Sequence, residues 1–277
     1  MDKICKFSLT AILVLLLIAG CLFTGCTENT PAADTNKDTN ENRDIIWQVS
    51  SIDILLDGGY DGFVSVGELK KHGDSGIGTP GMLDGELIAV DGDFYSIKSD
   101  GNAYLLSDSV VIPFAAVTFF DNDYAIEMTA IDNISEFDEV LNQNLLNETL
   151  FYAIKIEGTF PYIKTRAVPK QEKPYQKLVD VVKKQSVFEY KNITGTVIGL
   201  WSPSFSDGMN VPGLHIHFIS DDRTKGGHIL DLKFDNEIVF IDKTSVYNVV
   251  LPETMLGGSS GGPDEPGSDS ELALVEK

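Results

Sequence analysis

The sequence predicts an α+β fold dominated by β-sheet. Three observations carry this: runs of alternating apolar and polar residues joined by Asp-Gly turns, a histidine-bearing pair of such runs near residues 213–232, and only two segments with a helical period. Glu86-Leu87-Ile88-Ala89-Val90 and Phe94-Tyr95-Ser96-Ile97 flank Asp91-Gly92, which suits the positive φ angles of a tight hairpin turn. Asp100-Gly101 turns the chain again, extending the hairpin to a meander. Val111 to Phe120 and Leu150 to Phe160 read as further strands. Of the two helical segments, the first is expected to be capped by Ser135, with Phe137, Val140 and Leu141 on one face and Asp138 at the capping-box position. The second places Pro174 in its first turn, turns Leu178, Val181 and Val182 inward, and ends on Lys183 and Lys184, where positive charge suits the helix dipole.

Composition narrows the function. A chain of 277 residues with 43% hydrophobic and 23% charged residues has material for one large or two modest domains. The formal charge of −21 excludes a nucleic-acid partner, because a surface that follows phosphates needs clustered Lys and Arg. An anionic substrate is repelled by that field, so local cations must draw it in, and a bound metal with one well-placed arginine suffices.

The N-terminus reads as an export signal. Lys3 and Lys6 precede the uncharged block Phe7 to Ala19, short for a membrane span and suited to the apolar core of a signal peptide. Ile18-Ala19-Gly20-Cys21 resembles a lipoprotein box, and Phe23-Thr24-Gly25-Cys26 is a second candidate, so lipidation is expected at Cys21 or Cys26; an uncleaved anchor is the competing reading. Residues 1–26 are thus expected to be a lipoprotein-type signal and 27–44 a polar, flexible tether, with the protein exported and held by lipid to the outer face of the cytoplasmic membrane. All three cysteines lie in or beside the signal, so the body has no disulfide and any metal must be held by histidine and carboxylate.

Such a metal site is visible. Three of the chain's 4 histidines fall between His215 and His228. In a strand, Gly213-Leu214-His215-Ile216-His217-Phe218 turns His215 and His217 to one face and Ile216 and Phe218 to the other. The polar stretch Ser220 to Gly227 followed by His228-Ile229-Leu230-Asp231-Leu232 reads as a hairpin return that brings His228 beside the pair. Three neutral imidazoles with an open position make the ligand set of a catalytic zinc. A lone histidine on a strand is usually only a hydrogen-bonded residue; the third member on the partner strand is what favours a metal.

Several segments, taken together, are familiar. His72-Gly73-Asp74-Ser75-Gly76-Ile77-Gly78-Thr79, Leu83-Asp84-Gly85-Glu86-Leu87, Pro113-Phe114-Ala115-Ala116-Val117-Thr118-Phe119-Phe120, Phe151 to Phe160, Lys173-Pro174-Tyr175 and Gly213 to Phe218 resemble α-acetolactate decarboxylase, in order, from about Ile45 to Pro252. The resemblance implies a dimer of chains with two mixed-sheet domains, here 45–190 and a metal-binding 191–277. It implies a zinc-dependent lyase that converts 2-acetolactate to acetoin and carbon dioxide, the zinc chelating both substrate oxygens and stabilising an enediolate. The family's metal ligands map onto His215, His217 and His228, its arginine onto Arg166, a pocket glutamate onto Glu86 and a pocket threonine onto Thr79. A tail glutamate that folds over the site maps onto Glu276, with Glu271 as rival because Gly257 to Gly267 obscures the spacing. Ser75 and Pro80 stand where the family usually has aromatic residues, a change expected to alter the pocket wall. His72 is read as a turn residue with no ligand role. Without the resemblance, Arg166 and Glu86 would read as an ordinary ion-pairing arginine and a solvated strand-end glutamate. The alternative function is a lipid-anchored zinc-binding protein that performs no chemistry; it would close its coordination shell with a fourth side chain or carry a histidine-rich loop, and neither is visible.

Overall fold

The computed structural model describes residues 43–254 and 269–276. The expected signal segment with Cys21 and Cys26, nearly all of the tether and most of the polar tract from Gly257 to Ser270 lie outside the described residues. The strands of the first half are β1 Ile45–Val49, β2 Val64–Ser65, β3 Ser75–Thr79, β4 Glu86–Val90, β5 Asp93–Ile97, β6 Ala103–Leu105, β7 Val111–Ile112 and β8 Phe114–Thr118. They are followed by β9 Tyr124–Ile131, β10 Phe151–Ala167, β11 Ser186–Ser202, β12 Gly213–Ser220, β13 Gly226–Thr244 and β14 Val246–Val250. The helices are α1 Ile52–Leu56, α2 Val66–Leu69, α3 Ile134–Asn144, α4 Leu178–Val181 and α5 Asp269–Val275. The α+β, sheet-dominated class is as the sequence predicts.

Two large sheets and the two-stranded pair β2–β7 make up the sheet structure of the described residues. A seven-stranded sheet runs β14-β1-β8-β3-β4-β5-β6, with β1 and β14 parallel and its other neighbours antiparallel. A five-stranded antiparallel sheet runs β10-β11-β12-β13-β9, and β10 also pairs with β13, so this sheet curls back on itself. The division expected between residues 190 and 191 falls inside β11, and β14 joins the first sheet from beyond it; the sheets are built from interleaved segments. The sheets meet over Ile77, Ile88, Val90 and Ile97 from one side and Ala167, Ile198 and Ile219 from the other. A second core joins Ile216 and Phe218, the faces of β12 opposite the histidines, to Phe137 and Leu141 of α3.

Local chemistry explains the elements. Asp91 (φ 52°) and Gly92 (φ 83°) both take positive φ, the hairpin turn expected of that dipeptide. Pro113 splits the run Val111 to Phe120 into β7 and β8. By contrast β10 continues seven residues past Phe160, because Pro161, which has no N–H to offer, falls in the one stretch where β10 is bonded to neither neighbour. The cap of α3 is Asn133, whose side chain accepts from the Glu136 N–H at 3.0 Å, and not Ser135; both residue types cap well, and Asn133 is the one with extended backbone. The second expected helix starts at Leu178, later than Pro174 suggests. Tyr175 donates to Asp61 at 2.9 Å, and the Gln176 carbonyl accepts from Tyr60 Oη at 2.9 Å, so the segment after Pro174 is held extended against the chain following α1.

Asp242 of β13 is a buried acid remote from the histidines. It is 2% exposed, one of its oxygens accepts from the Asp121 N–H and the other has no partner. Burial, and then the charges of Asp123, Asp44 and Asp121, push its pKa up to about 7. The folded chain therefore keeps a proton that the unfolded chain loses above about pH 4, so this group's contribution to stability declines as pH rises from about 4 to 7, by at most about 1.4 kcal/mol per pH unit. Asp242→Asn is expected to flatten that part of the curve of melting temperature against pH and to melt higher than wild type at pH 8. An unchanged slope between pH 5 and 7 would show that Asp242 carries its charge at no cost.

Candidate active site and metal centre

The β12–β13 hairpin assembles the histidines. Its turn is tied by Ser220 Oγ, which donates to Asp222 at 2.7 Å and accepts from the Lys225 N–H at 3.0 Å. That closure puts His217 directly opposite His228 in the ladder, with His215 two residues along on the same face. Gly227 (φ 134°) makes the approach possible: a Cβ there would lie 2.4 Å from the Arg166 carbonyl, so only glycine lets β13 lie against β10 beside His228. The same pairing sets Arg166 opposite His228.

One ring nitrogen from each of His215, His217 and His228 lies within 4.8 Å of the other two, and all three residues are buried. His215 Nε2 stands 3.2 Å from His228 Nδ1. His217 Nδ1 lies 2.8 Å from the Leu87 carbonyl. A carbonyl can only accept, so Nδ1 carries the proton and the lone pair sits on Nε2, which is buried and without a hydrogen-bond partner. Burial, reinforced by the positive charge of Arg166, brings His215 down to about 3; burial likewise holds His217 and His228 well below the ordinary histidine value. Three neutral imidazoles, one with an orphaned lone pair and a backbone acceptor fixing its other nitrogen, fit a metal ion.

Carboxylates and one guanidinium close the site. Glu86, the first residue of β4, comes from the other sheet and is 6% exposed. Its Oε1 stands 3.6 Å from Arg166 Nη1, and its Oε2 3.9 Å from His217 Nε2. Burial pushes Glu86 up to about 7, with Arg166 pulling the other way; Glu276 is likewise raised by burial to about 7 against the pull of Arg166. Glu276 Oε2 lies 3.8 Å from His215 Nε2 and 3.7 Å from His228 Nε2. Glu276 is carried there by α5, whose Leu272 and Val275 are buried among Ile52, Leu55, Leu178 and Val181. Buried apolar side chains of this size contribute about 1.5–3 kcal/mol each, enough to keep the end of α5 over the histidines. The rival Glu271 faces Lys177 at 4.0 Å and is not among the residues brought to the histidines.

A cavity of about 40 Å³ lies between these groups, lined by His215, His217, Glu86, Arg166, Glu276 and Thr79 on the polar side and by Ile52, Leu55, Leu83, Phe114, Val168, Leu178 and Val275 on the apolar side. Thr79 lines this cavity, and its hydroxyl donates to the Gly85 carbonyl at 2.8 Å. Neither Ser75 nor Pro80 lines this cavity; Ser75 borders a separate one of about 100 Å³ with Lys155 and Phe120. His72 stacks on Trp47 at 4.0 Å, far from the cluster in role as expected. Sequence reasoning does not find the Leu87 carbonyl, which has no residue-type signature, or the apolar wall; the i, i+3 spacing of Ile52 and Leu55 is the only hint of the latter.

A sequence profile of the alpha-acetolactate decarboxylase family matches residues 46–256. The chain belongs to that family. It is 45% identical over 244 residues to the alpha-acetolactate decarboxylase of Methanosarcina mazei, covering 84% of this chain and 85% of that one. With the enzyme of Bacillus licheniformis it shares 44% over 215 residues, 78% of this chain and 85% of the relative. The crystal structure of alpha-acetolactate decarboxylase from Bacillus subtilis strain 168 superposes with a TM-score of 0.80 at 39% identity, covering 84% of this chain and 99% of the other. Membership makes the chain an enzyme, a carbon–carbon lyase of the carboxy-lyase type.

Proposed function

We propose that this enzyme decarboxylates 2-acetolactate to acetoin with zinc held by His215, His217 and His228. The observation that carries the reading is the convergence of the three buried imidazoles with Arg166, Glu86 and Glu276, beside one small cavity lined by His215, His217 and these three groups, in a chain of this family. When bound, the metal supplies a Lewis acid for the two adjacent substrate oxygens. The rest is work for the side chains. In the overall reaction the bond to the carboxylate breaks, its electron pair passes toward the ketone oxygen, and a proton is finally added to the carbon that lost carbon dioxide. The Arg166 guanidinium, the cation of the pocket, holds the carboxylate before it departs and lies beside that carbon afterwards. Glu86, raised to about 7, is poised to take the hydroxyl proton and to give it back near neutral pH. Ile52, Leu55, Leu178 and Val275 accommodate the methyl groups and exclude water. A zinc-carrying protein without chemistry is not favoured, since the relatives of this chain are decarboxylases. Acetoin measured after incubating the purified chain with racemic acetolactate tests the reading; zinc should support it, and no acetoin under zinc-replete conditions would refute it.

The family resemblance also supports a homodimer, and the N-terminal sequence supports export and lipid anchoring at Cys21 or Cys26. No helix among the described residues is long and apolar enough to cross a membrane. Metabolic labelling with a radioactive fatty acid should mark the full chain, and of Cys21→Ser and Cys26→Ser the one that removes the acceptor thiol should abolish the label. Label that persists in the double variant contradicts the lipoprotein assignment.

A further inference from the structure

We infer that Ser96, together with Thr79, positions Glu86, an inference that rests on the decarboxylase reading above. Glu86 is poorly fixed by its own contacts. Oε1 is buried without a hydrogen-bond partner, and Arg166 stands 3.6 Å away. Its direction is therefore set by the backbone that leads into it. That backbone is clamped at consecutive residues. Ser96 Oγ donates to the Asp84 carbonyl at 2.6 Å, and Thr79 Oγ1 donates to the Gly85 carbonyl at 2.8 Å, so neighbouring strands β5 and β3 each hold one peptide. Gly85 itself takes φ 102°, and a Cβ there would sit 2.3 Å from the Ile97 carbonyl, so the bend admits no other residue without moving β5. The next carbonyl, of Leu87, meets His217 Nδ1 at 2.8 Å. From 84 to 87, each residue is thus tied to a flanking strand or faces the histidine cluster.

Ser96 is fully buried, between the buried Phe94 and Ile97 of β5, and its pairing with Leu87 in the ladder needs no side chain. A hydroxyl in that place is costly unless it is bonded, and its bond goes to the peptide two residues before Glu86. A reacting group displaced by about 1 Å loses on the order of a hundredfold in rate, so loosening one of two clamps should cost about tenfold.

The test is a double-mutant cycle on the full chain. Ser96→Ala, and the volume-matched Ser96→Cys with its weak donor, should fold, keep wild-type zinc content by elemental analysis, and lose about tenfold in kcat with little change in KM. In a Glu86→Gln background the same substitutions should have no further effect on the residual turnover, because a residue acting through Glu86 has nothing left to position. Wild-type kcat in Ser96→Ala overturns the inference, as does a second, additive tenfold loss on Glu86→Gln, or failure of both Ser96 variants to fold. A wild-type chain that forms no acetoin from acetolactate overturns instead the functional reading beneath it.

Discussion

Arg166→Ala is expected to fold, to hold its zinc, and to turn over about a hundred- to a thousandfold more slowly, the range for removing one preorganised charged donor. Arg166 is 4% exposed and faces Glu86, and its charge draws down the pKa of Glu86 and of Glu276 while helping to keep His215 and His228 neutral. With the guanidinium gone, both carboxyls rise further and take up protons, which spares the fold an unpaired buried charge. The chemistry has no such remedy. The substrate is an anion approaching a chain of formal charge −21, and the pocket loses its only guanidinium. The loss should therefore appear in both kcat and kcat/KM, with zinc content unchanged. Arg166→Lys keeps the charge but not the planar fork and should fall between the two. An Arg166→Ala enzyme with intact metal and near-normal turnover would remove the arginine from the mechanism.

The second large effect is expected at His217. Its Nε2 is buried without a partner and its Nδ1–H is fixed by the Leu87 carbonyl, so on the proposed reading it is a metal ligand, and the same ring ties β12 to β4 of the other sheet. Loss of an outer-shell partner typically costs 10- to 100-fold in metal affinity, and loss of the ligand itself should exceed that. His217→Ala should therefore be isolated with little zinc and little acetoin-forming activity. His72→Ala, which removes only a ring stacked on Trp47 and a contact with Glu68 at 3.2 Å, should retain both. Full zinc occupancy in the His217 variant, measured by elemental analysis, would exclude it as a ligand.

The parts of this site that are legible in the sequence are those that obey a short-range rule. His215 and His217 share a face because side chains alternate along a strand, and His228 joins them because a polar, glycine-containing turn sits at hairpin distance. Arg166 obeys no such rule. It reaches the histidines through the register of β10 on β13, some sixty residues apart in the chain, and only a family resemblance singles it out. Glu86 comes from the other sheet and Glu276 from a terminal helix, and the choice between Glu276 and Glu271 is made by which face of α5 the buried Leu272 and Val275 turn inward. The Leu87 carbonyl and the Ser96 hydroxyl leave no signal at all, because a backbone acceptor has no residue type and a serine in a strand reads as merely polar. The fold shows the same division. The Asp91-Gly92 hairpin follows from local backbone preference, whereas Gly158 and Pro161 look like strand breakers and are carried through because β10 is paired on both sides before and after them. At Asn133 and Ser135, two residues with nearly equal capping ability compete, and the contact of the Ile134 N–H with Asp231 of β13 at 3.0 Å favours the start at Asn133.

The central claim is that the three histidines hold the metal on which decarboxylation depends. Its most direct test is to strip the purified enzyme with a chelator, return zinc in measured portions, and follow acetoin from acetolactate. The account predicts an inactive stripped enzyme whose activity rises in proportion to added zinc and breaks off at about one equivalent per chain, as three protein ligands at one centre require. Undiminished acetoin formation by the metal-free enzyme, or zinc bound at one equivalent with no activity returned, would contradict it.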